Sequence, residues 1–184
     1  YVTVYAFSTE NWSRPEKEVD SIMKLLDKYL DECEKSFADY SIRMRIIGDL
    51  SRLNESLAQK AKRIEEITKN NSLTLCIALN YGGRDELVNA FNRLLADGKT
   101  NVTAKDIESQ LYTAGIPDPD LIVRTAGELR LSNFLMWQSA YSEFYFTDTL
   151  WPDFTEEELA KAILNFQSKE RRYGKTSEQV TSVQ

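Results

Sequence analysis

Arg124, Arg130 and Ser132 surround a turn containing Gly127, and Glu143 stands just beyond it, ahead of Phe144, Tyr145 and Phe146. Guanidinium groups hold phosphate oxygens through paired, charge-assisted hydrogen bonds, and a serine hydroxyl adds another donor. The set therefore suits a diphosphate. A carboxylate beside it opposes that charge unless a divalent cation joins it. Glu143 is thus a candidate Mg2+ ligand, with phosphate oxygens and water completing the shell. The plainer alternative is a solvated loop in which Arg124 or Arg130 pairs with Glu128. Position favours function: the apolar run Leu121, Ile122, Val123 reads as a short buried strand ending at Arg124, and open α/β sheets bind ligands at strand ends.

A second polar loop, Ser8 to Pro15, carries Glu10, Asn11, Trp12 and Arg14 just past the first strand. Parallel strands end on a shared rim, which predicts that this loop lies on the side of Arg124 and Arg130. Three arginines, Ser8, Ser132, Asn11, Trp12 and two carboxylates suit phosphoryl ligands better than sugar hydrolysis, which needs a dedicated carboxylate pair. Trp12 either covers the apolar part of a substrate or is a half-buried packing residue. Gly82 and Gly83 lie between a strand and a helix, where glycines can cradle phosphate. They lack both the Lys-Ser/Thr of a P-loop and the dinucleotide-binding spacing, and read better as a tight structural turn.

Several elements must position these loops. Tyr1 to Phe7 alternates and reads as a strand, as does Ile42 to Gly48. Leu73 to Leu79 is nearly continuously apolar, as expected of a parallel strand covered on both faces. Helices are predicted from the residues after Ser13 to about Phe37, over 54–69, over 84–96, from Thr103 through Leu111, and after Thr155. Ser13 with Glu16, Thr103 with Asp106 and Thr155 with Glu158 have capping-box spacing. In the first helix Val19, Ile22, Met23, Leu26, Tyr29, Leu30, Cys33 and Phe37 recur at helical spacing, widened by Leu25. That stripe packs the core or walls a groove for a lipid chain. In the second, Leu57, Ala61, Ile64 and Ile67 should face inward. Strands alternating with helices predict one α/β domain over residues 1–175, with a mostly parallel central sheet and helices on both faces, and a frayed tail at 176–184.

The 184 residues, 42% hydrophobic and 28% charged, suffice for one domain with a sizeable core. The net charge of -6 argues against nucleic-acid binding and against docking on anionic membranes. Histidine is absent, which excludes an imidazole base, a Ser-His triad and a His-ligated metal. Cys33 and Cys76 lack metal-type spacing and read as buried free thiols in a reducing compartment. No run is long and apolar enough to span a bilayer.

The blocks 5–15, 46–53, 79–84 and 124–138, with Trp151-Pro152-Asp153-Phe154 and Arg171-Arg172-Tyr173-Gly174, resemble the cis-prenyltransferases, the family of bacterial undecaprenyl diphosphate synthase. They span nearly the whole chain in the family's order. The resemblance implies a cytoplasmic, homodimeric, Mg2+-dependent enzyme that condenses isopentenyl diphosphate with an allylic diphosphate such as farnesyl diphosphate. The product would be a long cis-polyprenyl diphosphate such as undecaprenyl diphosphate, with the membrane met only through this lipid. It further implies that Arg124, Arg130 and Ser132, with Leu131 between them, hold isopentenyl diphosphate, and that Glu143 binds Mg2+. Ser8, Thr9, Glu10, Trp12 and Arg14 would line the substrate site. Asn11 stands where the family has its proposed proton acceptor. A neutral amide is a poor base, so Asn11 is expected to orient the isopentenyl group or relay through water. The stripe from Val19 to Phe37 would form one tunnel wall.

The family's first strand and its Asp-Gly-Asn-Gly-Arg-Trp loop, with the essential aspartate, are expected before Tyr1. The 184-residue chain alone is accordingly expected to be inactive. Ala126 stands where many relatives have serine or glycine, a change the turn can accept. Two other readings compete: a non-catalytic binding subunit of the same fold, and an unrelated phosphate-binding α/β domain.

Overall fold

The computed structural model describes residues 1–36, 41–174, 176, 178 and 179. The chain divides into two compact units, Tyr1–Pro117 and Asp118–Gln184.

The first unit holds β1 (Val2–Ser8), α1 (Glu16–Ser36), β2 (Ile42–Ile47), α2 (Glu55–Thr68), β3 (Leu73–Tyr81), α3 (Gly83–Ala96) and α4 (Ala104–Gln110). Its three strands form a parallel sheet in the order β1-β3-β2. The apolar run of β3 takes the central position, and Cys76 through Tyr81 are all buried. That is the burial expected of a parallel strand covered on both faces. Pairing of Ser8 with Tyr81 and of Ile47 with Ala78 brings the carboxyl ends of all three strands to one edge. Phe7, Leu30, Met44, Leu57, Ile64 and Leu79 are core residues from α1, α2 and all three strands.

The outer edge of β2 is closed by side chains. The Met44 N–H donates to Thr68 Oγ1 (2.9 Å), the Ile46 N–H donates to Glu65 Oε1 (2.8 Å), and Asn71 Nδ2 donates to the Ile42 carbonyl (3.0 Å). Thr68 is buried for this reason, and Ile67, expected inward, is exposed. In α1 the stripe is narrower than its sequence suggests: Val19, Leu30 and Cys33 are buried, whereas Leu25 and Tyr29 are exposed. Phe37 lies outside the described residues, as do Lys175 and most of the expected tail. Both cysteines are buried free thiols, and burial is the main cause pushing each thiol up.

One of the three expected capping boxes forms. Thr103 Oγ1 accepts from the Asp106 N–H while Asp106 Oδ2 accepts from the Thr103 N–H (2.8 Å), and Lys99 adds an ion pair. Ser13 instead belongs to a 3-10 turn over Thr9–Ser13 and donates to the Glu10 carbonyl (2.7 Å), so no box with Glu16 forms. Thr155 makes no side-chain cap; Glu158 pairs with Lys161 and accepts from Thr149 Oγ1 (3.4 Å).

The second unit holds β4 (Leu121–Arg124), β5 (Glu143–Phe146) and α5 (Glu156–Gln167). β4 and β5 pair in parallel, Leu121 against Glu143 and Arg124 against Phe146, and α5 packs on both. The parallel α/β class expected from the sequence is the one observed.

Candidate active site

Ser8 ends β1, and the chain winds at once into the 3-10 turn Thr9–Ser13. Asn11 Oδ1 accepts from the Ser8 N–H (2.8 Å). That bond occupies one acceptor of the amide and fixes its direction, leaving the NH2 end as the donor side. Thr9 Oγ1 donates to Asp85 Oδ2 (2.8 Å) on the first turn of α3, and Arg14 pairs with Glu18 one helical turn on (2.7 Å). Glu10 is exposed.

Trp12 is held from three directions. Its Nε1–H donates to Asn80 Oδ1 (2.7 Å), its ring meets Phe7 edge-on at 5.1 Å, and the Arg52 guanidinium lies 4.7 Å from its centroid. The half-buried indole is thus both a packing residue and a fixed platform. Asn80 is buried with a left-handed backbone (φ 48°), and its Nδ2 donates to the Asp49 carbonyl (2.5 Å). Gly82 is extended and opens α3 directly, so the Gly82-Gly83 pair is a strand-to-helix junction rather than a phosphate-type loop.

In the second unit Arg124 is the last residue of β4. The turn after it is laced to the segment after β5: Ala126 donates to the Thr149 carbonyl (2.9 Å), Gly127 to that of Thr147 (2.9 Å), and Thr147 to that of Arg124 (3.0 Å). Ala126 and Gly127 are both left-handed (φ 64° and 68°), so the alanine is accommodated with a positive φ. Further along, Ser132, Asn133 and Leu135 are also left-handed (φ 50°, 63° and 44°). Non-glycine residues in that region carry strain that persists where surroundings impose it, and such strain clusters at ligand sites. Nothing in residue types alone signals it. Leu131 is partly buried beside these residues, and Arg130 is exposed and paired with Glu128, the plainer arrangement weighed above. Arg124 makes no ion pair among the described residues.

Glu143 begins β5 opposite Leu121, with its N–H donating to the Asp120 carbonyl (2.9 Å). The register sets it three residues from the strand end that Arg124 occupies, about 10 Å along the sheet. Arg124 and Glu143 therefore do not share one strand end. Among the described residues no three Asp, Glu, His or Cys side chains gather as a metal cage. A single carboxylate still fits Mg2+, which commonly takes one or two carboxylates and completes its shell with substrate phosphates and water.

The residues missed in the sequence are Asn80, Asp85 and Arg52, each from outside the two loops. The one available signal was a polar asparagine next to the last residue of a mostly apolar strand.

The family described as "Putative undecaprenyl diphosphate synthase" matches residues 1–174. An isoprenyl transferase of Fusobacterium nucleatum is 51% identical over 175 residues, covering 95% of this chain and 76% of that protein. The crystal structure of a probable undecaprenyl diphosphate synthase from Campylobacter jejuni is similar with a TM-score of 0.87 at 41% identity, covering 94% of this chain and 82% of that one. Lavandulyl diphosphate synthase from Lavandula x intermedia, solved with dimethylallyl diphosphate, has a TM-score of 0.88 at 34% identity, covering 94% of this chain and 78% of that one.

Proposed function

Since this chain belongs to the undecaprenyl diphosphate synthase family of cis-prenyltransferases, we propose that it condenses isopentenyl diphosphate with an allylic diphosphate, farnesyl diphosphate, to build a long cis-polyprenyl diphosphate such as undecaprenyl diphosphate. The observation that carries this reading is the family match over residues 1–174, which takes in both polar loops.

In the reaction a carbon–carbon bond forms between the allylic carbon and the terminal methylene of the isopentenyl group. The allylic diphosphate leaves, and one proton departs from the isopentenyl unit. Arg124, Arg130 and Ser132 hold isopentenyl diphosphate, with Leu131 between the last two. The guanidinium of Arg130 exchanges Glu128 for phosphate, a change favoured by the weakness of an exposed ion pair. Ser8, Thr9, Glu10, Trp12 and Arg14 line the substrate site, and the half-buried Ile22, Met23 and Leu26 of α1 contribute to the wall along the growing chain. Asn11 orients the isopentenyl group through its amide donor, and the departing diphosphate is the better proton acceptor. Glu143 would hold Mg2+, which would supply positive charge to offset that of the diphosphate.

In this reading the enzyme works in the cytoplasm as a homodimer and meets the membrane through its lipid product alone. The stacked, exposed Phe144 and Phe146 on one face of β5 (5.9 Å) support burial against a second copy. Among the described residues no helix is long and apolar enough to cross a membrane.

The test is elongation of farnesyl diphosphate with labelled isopentenyl diphosphate and Mg2+ by the full-length protein. A ladder of extended polyprenyl diphosphates is expected. Failure to extend any allylic diphosphate would sink the reading.

A further inference from the structure

We propose that Asn80 is a positioning residue for the reaction: it locks the indole of Trp12, and with it the loop carrying Asn11 and Arg14, to the turn that ends β2. The inference rests on the reading above that this loop lines the substrate site.

The geometry assigns the amide of Asn80 without ambiguity. Its Oδ1 faces the Trp12 Nε1–H at 2.7 Å, a group that only donates, and its Nδ2 faces the Asp49 carbonyl at 2.5 Å, a group that only accepts. Rotating the amide by half a turn would set donor against donor and acceptor against acceptor. The two partners lie 68 and 31 residues away in sequence, so a single side chain joins the loop after β1 to the turn after β2. A backbone bond doubles the second link, the Asp49 N–H donating to the Asn80 carbonyl (3.2 Å).

The backbone explains why the residue is asparagine. At φ 48° it is left-handed, a conformation that asparagine tolerates better than other residues with a side-chain amide or carboxamide-sized apolar group. Aspartate would keep an acceptor for Trp12 but lose the donor to Asp49 and bury a charge. Glycine would keep the backbone and lose both side-chain bonds. Buried, and with both ends of its amide bonded, Asn80 is withdrawn from substrate and acts through Trp12.

The experiment is a double-mutant cycle in the full-length protein with Asn80→Gly and Trp12→Phe, which removes the indole N–H and keeps a ring. Each single change is expected to raise KM for the allylic diphosphate roughly tenfold, the scale of one lost hydrogen bond, with kcat falling much less. The double variant is expected to be no worse than the poorer single variant, because both remove the same bond. The indole N–H resonance absent from Trp12→Phe identifies Trp12, and its hydrogen exchange is expected to speed up in Asn80→Gly. Effects that multiply in the double variant, or an unchanged KM in folded Asn80→Gly, overturn the inference. If Asn80→Gly fails to fold, Asn80→Ala, which likewise removes the acceptor for Trp12, replaces it in the same cycle, with the same expected coupling and the same overturning result. Arg14→Ala separates the two levels. Raised KM in Arg14→Ala and Trp12→Phe with a silent Asn80 variant refutes this inference alone. Unchanged KM in all three refutes the assignment of the loop to the site as well.

Discussion

A Cβ on Gly48 would lie 2.0 Å from the carbonyl oxygen of Leu79. The ends of β2 and β3 therefore meet backbone to backbone, and the contact leaves no room for any side chain. Gly48 also has φ +130°, a region that residues with a Cβ rarely adopt. Gly48→Ala is expected to lower stability by at least about 3 kcal/mol, since a backbone oxygen cannot swing aside as a side chain would. The midpoint of urea unfolding measures it, and a loss within the scatter of ordinary surface changes would contradict the close approach.

Glu86 is buried near the start of α3 and accepts from Tyr81 Oη (2.6 Å) and from the Tyr112 N–H (2.8 Å). Its removal leaves buried donors without these acceptors. Glu86→Ala is expected to cost about 2–4 kcal/mol, and Glu86→Gln, which keeps one acceptor oxygen, distinctly less. Equal losses in the two variants, read from the same unfolding curves, would show that packing rather than hydrogen bonding sets the cost.

The Asp106 carboxyl is lowered to about 2, first by Lys99 and then by the Thr103 backbone and hydroxyl donors. Its folded pKa is depressed below the ordinary 3.8, so the unfolded chain binds the proton first. The local contribution to the α4 cap is complete above that ordinary value and is lost as pH falls toward 2. A carboxyl 13C titration is expected to give a midpoint near 2 in the native protein, moving up in Lys99→Ala.

Arg130 pairs with an exposed partner, Glu128, and such pairs contribute little. Glu128→Gln is expected to change stability by less than about 0.5 kcal/mol. Arg130→Ala is expected to raise KM for isopentenyl diphosphate by roughly tenfold or more, with Arg130→Lys recovering only part, because an ammonium cannot reproduce the bidentate fork. Unchanged affinity in Arg130→Ala would remove this residue from the diphosphate site.

The helices and strands were legible where one rule dominated. Leu73 to Leu79 is apolar enough to name a buried parallel strand, which runs on to Tyr81, and Thr103 with Asp106 is a box that formed as spaced. Spacing misled at Ser13, because the 3-10 turn after β1 takes up the residue before α1 begins. It misled again at Ile67, where the neighbour Thr68 was wanted inward for its hydroxyl. The arginines and Asn11 could be picked out as polar residues at strand ends. Asn80 stands out in the same way near the end of β3, but its role does not, since that depends on a left-handed backbone and on partners far away in sequence. The offset between Arg124 and Glu143 was likewise hidden, because it follows from the pairing register of β4 with β5 and not from the order of residues.

The side chains that occupy the outer N–H and C=O groups of β2 bear on solubility. An open sheet margin is a template on which a foreign chain can zip up, and self-propagating aggregates begin in that way. With Thr68, Glu65 and Asn71 already seated on Met44, Ile46 and Ile42, an incoming chain would first have to evict three native partners. Arg43, alternating with those residues along the strand, adds like-charge repulsion between two copies brought together at this margin, whereas Arg45 is paired with Glu65 (3.6 Å).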